Sequence, residues 1–314
     1  MSRLLRATCA LMVRPMRAKT RSNIYSQFAE DRDYVLFHGD CRKLLNRIPS
    51  GSIDLTVTSP PYFMGKDYDK STKVEDFVSF HEALLPEIVR VTRQEGSICW
   101  QVGYHVRNGV ITPLDFLVHD IFSRLGEVFL RNRIVWTYGH GLHSKKRFSG
   151  RHEMILWYTK GAHYYFDLDS VRVPQKYPGK RHYKGTKKGE FSGNPLGKNP
   201  SDVWEIPNVK ANHIEKTEHP CQFPVALVRR LVRSLAPVRG RVLDPFAGSG
   251  STGVAAILEG RKFVGCEVNP GYCRIARERC RCALKGKARV RAIDRPIFEP
   301  QASMSVAQKP AYFV

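Results

Sequence analysis

Acidic residues are scarce in this chain. Only 29 Asp and Glu stand against 51 Lys and Arg, a formal net charge of +22 over 314 residues. A surplus that large favours a polyanionic partner, most simply nucleic acid, over the alternative of a basic enzyme of unrelated function. Long apolar runs are also missing: none approaches the ~20 residues needed to span a bilayer, so no membrane partner is expected. Paired cysteine spacing is absent as well. Cys9, Cys41, Cys99, Cys221, Cys266, Cys273, Cys280 and Cys282 form no CxxC. This argues against a metal knuckle and for free thiols in a reducing compartment such as the cytoplasm. The first 29 residues hold no acid but carry Arg3, Arg6, Arg14, Arg17, Lys19 and Arg21. That composition fits a transit peptide, a disordered basic arm over 1–32, or a start placed too early, with Met12 or Met16 as the true one; the last two are preferred.

From Tyr34 the pattern becomes regular. Strands are predicted over 35–40, 53–59, 96–103, 128–138 and 153–160, and helices over 41–48, 74–93 and 112–126. Pro86 falls inside the second helix, and Thr112 is the expected N-cap of the third. Residues 161–216 lose periodicity and are read as an inserted lobe, rich in Gly, Pro, Lys, His and Tyr. Order returns with a helix over 221–236, a strand from 241 running into a glycine turn, a helix over 254–260, a strand over 261–268 and a basic helix over 270–284. Cys273 and Cys280 share one face of that last helix. Alternating strands and helices argue for a Rossmann-like α/β fold on a parallel, doubly wound sheet. Two halves, 33–160 and 217–284, would then make one domain around the insert, with 285–314 a loose tail.

DPFAGSGST (244–252) follows a strand and opens a helix. Gly248 and Gly250 let the backbone approach a ligand, and the helix start offers free N–H groups. The next strand ends at Glu267, placed to accept both hydroxyls of a ribose. The third glycine of the dinucleotide fingerprint is missing, and Asp244 leads the turn. A carboxylate there suits a cationic amino group, hence S-adenosyl-L-methionine, better than a pyrophosphate. Asp40 ends another strand; it can serve as a helix N-cap, and can accept from an adenine amine if that strand lies beside the one ending at Glu267.

TSPPY (58–62) is the sharpest motif. Two prolines fix the backbone after a strand and remove two N–H donors. The Ser59 hydroxyl and Pro60 carbonyl can both accept from one –NH₂ group, Pro61 holds the turn, and Tyr62 offers a face on which a base can stack. An exocyclic amine is a poor nucleophile because its lone pair is delocalised into the ring. Two acceptors draw it towards tetrahedral geometry and expose that pair.

Together these residues resemble the amino-methylating DNA methyltransferases, which modify N4 of cytosine or N6 of adenine. TSPPY resembles their catalytic motif, VLDPFAGSGST (242–252) and FVGCEV (263–268) their cofactor motifs, HGDC (38–41) the motif beside the cofactor adenine, and EHPCQFP (218–224) the motif at the methionine end. The catalytic motif precedes the cofactor motif, the permuted β-group order, and the likeness spans about 33–284. The resemblance implies S-adenosyl-L-methionine held by Asp40, Asp244, Phe246, Gly248, Gly250 and Glu267, no metal, and a base flipped out of double-stranded DNA. It also allows a companion restriction endonuclease and leaves the oligomeric state open. Ser at the head of the tetrapeptide is commoner among the cytosine enzymes, Asp or Asn among the adenine enzymes, so N4 of cytosine is expected. N6 of adenine, RNA or a protein glutamine, and a non-catalytic DNA-binding protein remain as alternatives. Phe223 departs from the pattern, which usually has Lys there. Pro220-Cys221-Gln222 matches the nucleophile motif of C5-cytosine enzymes, but in the wrong context.

Two basic stretches separate the halves. Residues 140–152 contain Lys145, Lys146 and Arg147; residues 176–198 contain Lys180, Arg181, Lys184, Lys187 and Lys188, interleaved with Tyr177, Tyr183 and Phe191. Such side chains suit phosphate contacts with aromatics to stack on bases. The family places its target-recognition region here.

Overall fold

The computed structural model describes residues 23–27, 33–63, 73–139, 141, 143–297, 301, 303 and 304. The basic N-terminal stretch up to residue 22, with Cys9, and residues 305–314 of the tail lie outside the described residues.

The first half contains β1 (Tyr34–His38), α1 (Cys41–Leu45), β2 (Ile53–Thr58), α2 (Val74–Val91) and β3 (Thr92–Val102). A small hairpin of β4 (Tyr104–Arg107) and β5 (Val110–Pro113) follows, then α3 (Leu114–Leu125), β6 (Phe129–Thr137) and β7 (His152–Thr159). The insert contributes β8 (Val203–Glu205). The second half comprises α4 (Val225–Leu235), β9 (Arg241–Asp244), α5 (Ser251–Leu258), β10 (Lys262–Glu267) and α6 (Pro270–Leu284).

Eight strands form one sheet in the order β1-β10-β9-β2-β3-β7-β6-β8. The expectation of a parallel sheet holds for β1 through β3. It fails beyond, where β7 runs antiparallel to both β3 and β6. Among the described residues no helix lies between β6 and β7, so the chain turns back without a helical crossover to make the pair parallel. Alternation along the strands feeds two apolar layers. Leu55, Val57 and Cys99 face α4, α5 and α6 through Val228, Val254 and Ala276. Ile53, Ile98 and Trp100 face α1, α2 and α3 through Leu44, Leu84 and Phe122. All six residues of β2 are buried, as a central strand covered on both faces requires.

Three local expectations need correction. Thr112 is not the N-cap of α3: it pairs with His105 in the hairpin, because a residue before proline is pushed to extended backbone, and Pro113 takes the cap position. The helix expected from 221 begins at Val225; Pro224 holds extended backbone, and the buried Glu215 carboxylate accepts from the Val225 N–H at 2.9 Å. Residues 161–216 hold little regular structure but lend β8 to the sheet edge, anchored by the buried Trp204 ring. Cys273 and Cys280 are both buried along one face of α6. No helix among the described residues is long and apolar enough to cross a membrane.

Candidate active site

The site forms where β2 and β9 lie side by side, Leu55 opposite Val242 and Thr56 opposite Leu243. Their carboxyl ends carry the two sharpest sequence motifs, in the crevice outside the strand ends where open α/β sheets bind ligands. Thr58 Oγ1 donates to Asp244 Oδ1 at 2.6 Å, a bond across 186 residues of chain. Asp244 also accepts from Thr252 Oγ1 at 2.7 Å and from the Phe246 N–H at 3.0 Å. This carboxylate thus ties the end of β2 to the glycine turn and the start of α5. Burial pushes its pKa up to about 6 against the pull of those three hydrogen bonds, with Glu267 adding to the rise.

Gly248 and Gly250 both adopt left-handed φ, 50° and 81°. A Cβ on Gly248 would come within 2.9 Å of His219 Nε2, and one on Gly250 within 2.9 Å of Ala276, so only glycine lets this turn close. Glu267, at the end of β10, accepts from the Gly248 N–H and the Asn269 N–H, each at 2.8 Å. Burial raises its pKa as well. β1 does lie beside β10, His38 opposite Glu267. Asp40 caps α1 by accepting from the Arg42 N–H at 2.8 Å, and Arg42 pairs with the same carboxylate. The Phe246 ring packs on Phe80 and Trp100, 5.8 and 6.3 Å between centroids. Two carboxylates and a backbone hollow therefore surround the ends of neighbouring strands. These residues fit S-adenosyl-L-methionine, whose ribose diol and cationic amino group each call for an acceptor. Among the described residues no three His, Cys, Asp or Glu gather as a metal site.

In the turn after β2, Pro60 is buried while Ser59, Pro61 and Tyr62 are half-buried. Phe63 closes the turn in left-handed backbone, φ 55°, and its ring is anchored against Phe77 and Phe80. Ser59 Oγ donates to Tyr62 Oη at 3.4 Å, and Tyr62 Oη donates to Glu153 Oε2 at 3.1 Å. Gln101 Nε2 donates to the same Glu153 oxygen. Burial, reinforced by the Glu153 carboxylate, holds the Tyr62 hydroxyl well above the usual phenol range, so it stays a donor. The same two causes raise Tyr138. Sequence reasoning missed Glu153 and Gln101. The only signal was an acid heading the otherwise apolar run MILWYT. Cys221 is exposed, and Phe223 packs on the apolar core where the family pattern has Lys.

The basic residues divide into two loops. Lys145, Lys146 and Arg147 lie between β6 and β7, with Phe148 fully exposed beside them and Arg147 over the Tyr104 ring. Lys180, Arg181, Lys184, Lys187 and Lys188 sit on a short ribbon and are all exposed. That ribbon is closed by bonds between His182 and Glu190 and between Lys180 and Ser192. Arg181 stacks on Phe191, 3.9 Å from its ring centre.

Known proteins resemble this chain along most of its length. A DNA methylase family model of the N6/N4 type matches residues 53–278. The type II methyltransferase M.BglII of Bacillus subtilis is 46% identical over 256 residues, 81% of this chain and 71% of the relative. The DNA adenine methyltransferase YhdJ of Escherichia coli K12 is 32% identical over 251 residues, 78% of this chain and 82% of the relative. Among solved structures, the cytosine-N4-specific PvuII DNA methyltransferase superposes with a TM-score of 0.63 at 21% identity, covering 83% of this chain and 98% of that one. The chain belongs to the N4/N6-type DNA methyltransferases, a family whose methyl donor is S-adenosyl-L-methionine.

Proposed function

We propose that this protein methylates N4 of cytosine in double-stranded DNA at Ser59-Pro60-Pro61-Tyr62. The observation that carries the site is the Thr58–Asp244 bond, which joins the catalytic strand to the cofactor turn. The choice of cytosine rests on Ser at position 59, the residue commoner among cytosine enzymes of the family.

In this reading Asp244 would hold the amino group of S-adenosyl-L-methionine, Glu267 its ribose, and Asp40 and Phe246 its adenine, with Gly248 and Gly250 giving backbone access. Bound there, the cofactor supplies an electrophilic methyl group. The target base leaves the duplex, at a cost of a few kcal/mol, and stacks on Tyr62. Ser59 Oγ and the Pro60 carbonyl accept from its amine and turn the lone pair towards the methyl. Those acceptors bind most strongly as nitrogen becomes tetrahedral and cationic, so they act on the transition state more than on ground-state binding. No covalent bond to the protein is required. Lys145, Lys146, Arg147, Lys180, Arg181, Lys184, Lys187 and Lys188 serve as phosphate contacts on two loops that embrace the duplex, and a companion restriction endonuclease is a further partner of this reading.

Ser59→Ala tests the proposal. Single-turnover methyl transfer should fall sharply while S-adenosyl-L-methionine affinity stays the same. An unchanged rate would remove Ser59 from the chemistry.

A further inference from the structure

Methylation of an amine releases a proton. As the N–CH₃ bond forms and the donor's S–CH₃ bond breaks, nitrogen becomes positively charged, and it returns to neutrality only by losing one of its hydrogens. Ser59 is the acceptor nearest that hydrogen in the reading above, but a serine hydroxyl cannot keep a second proton. It must hand one on.

We infer that Ser59, Tyr62 and Glu153 form a proton relay that carries the amine's proton away, with Glu153 as its terminus; the inference rests on the reading of Ser59 as the amine's acceptor. The two hydrogen bonds point in one direction, Ser59 Oγ to Tyr62 Oη at 3.4 Å and Tyr62 Oη to Glu153 Oε2 at 3.1 Å. The amine's proton moves to Ser59 Oγ, the Ser59 proton to Tyr62 Oη, and the Tyr62 proton to the Glu153 carboxylate. Each hydroxyl ends neutral, and one neutral carboxylic acid forms for each methyl transferred. Water then takes that proton and restores the carboxylate.

Two further features serve this arrangement. Gly103 leaves room for it: a Cβ there would stand 3.3 Å from the Tyr62 ring and 3.6 Å from Glu153 Cγ. Gln101, only 5% exposed, donates to the Glu153 oxygen that receives the tyrosine and so fixes its position. β3 brings Gln101 there because it pairs antiparallel with β7, Gln101 opposite Ile155 and Val102 opposite Met154. Among the described residues, the titratable groups that act on this cluster include Tyr62 after β2, Tyr138 after β6, Tyr104 of β4, Arg151 before β7, and Cys221 in the turn before α4.

Tyr62→Phe keeps the stacking ring but breaks the relay; Glu153→Gln keeps the shape of its terminus but not its basicity. Each should slow single-turnover methylation by about a hundredfold or more, from the lower end of the range for lost general-base assistance upward. The double variant should be no slower than the slower single one, because both remove one device. With saturating cofactor, the wild-type rate should rise with pH through a carboxylate titration and show a solvent deuterium effect. Both features should vanish in Glu153→Gln and persist in Glu153→Asp. Cofactor affinity, and the fluorescence of 2-aminopurine placed at the target position, should match wild type in both single variants, since binding and flipping do not need the relay. Rates within twofold of wild type, a retained pH profile in Glu153→Gln, or effects that multiply in the double variant would overturn the relay. Ser59→Ala separates the two levels. If it too leaves the rate intact, the catalytic reading itself fails; if it alone is slow, only the relay does.

Discussion

Replacing Asp244 by Asn separates the charge of this carboxylate from its hydrogen bonds. The side chain is 1% exposed and accepts from Thr58, Thr252 and the Phe246 amide. An amide oxygen can still accept from Thr58 and Phe246, and its NH₂ can donate to Thr252 Oγ1, so the turn should keep its shape. What disappears is the charge proposed to face the cofactor's amino group. A hydrogen bond to a charged group contributes about 1.5–3 kcal/mol, so affinity should fall about 10- to 150-fold at pH 7. Stability should move the other way. The folded pKa, about 6, stands above the ordinary 3.8, so the fold favours the protonated acid. That contribution is complete below the unfolded value and is lost as pH rises through about 6. At pH 7 the wild type therefore carries a buried-charge cost that Asn does not, about 3 kcal/mol for a shift of this size. Asp244→Asn should thus melt higher than wild type at neutral pH, with the difference closing below about pH 4. Calorimetric titration should also show wild-type affinity falling about tenfold from pH 7 to pH 5, while the variant stays flat over that range. Equal affinity at pH 7 and a flat wild-type profile would refute the assignment of Asp244 to the cofactor.

Other perturbations probe neighbouring parts. Glu267→Ala should weaken cofactor binding by about 1–3 kcal/mol in the same titration, because a ribose acceptor and the partner of the Gly248 amide go together. Neutralising Lys184, Lys187 and Lys188 should flatten the salt dependence of DNA binding by roughly 0.9 in slope for each phosphate no longer neutralised, with cofactor affinity unchanged; an unchanged slope would make the ribbon a solvated loop. Tyr62→Ala should weaken capture of the flipped base by about 1–3 kcal/mol, and a mismatch at the target should partly restore it, because flipping then costs less. The same mismatch should not rescue Ser59→Ala.

The site is legible in the sequence where chemistry is local, and illegible where it depends on strands meeting. Glycine at 248 and 250 after a strand, and two prolines at 60 and 61 after another, announce turns whatever surrounds them. The same holds for the last helix, whose start at Pro270 follows the Asn269 cap and whose buried face is readable from Cys273 and Cys280. By contrast, an apolar strand does not encode the direction of its neighbour, so the antiparallel β7 is out of reach. Glu153 escapes notice for the same reason: only the pairing of β7 with β3 sets it beside Gln101 and Tyr62. β8 is three residues long with one inward ring, Trp204, too short to show a period. In the sequence Asp244 reads as a cofactor ligand alone. Its bond to Thr58 requires knowing that β2 and β9 are adjacent, and that bond is what unites the two motifs.

The central claim is the identity of the modified atom. DNA carrying the recognition site, incubated with the enzyme and S-adenosyl-L-methionine, digested to nucleosides and analysed by mass spectrometry, should yield N4-methylcytosine. N6-methyladenine in its place would contradict the choice of base while keeping the amine chemistry of Ser59 and Pro60. 5-Methylcytosine, with activity abolished in Cys221→Ser, would contradict the mechanism itself.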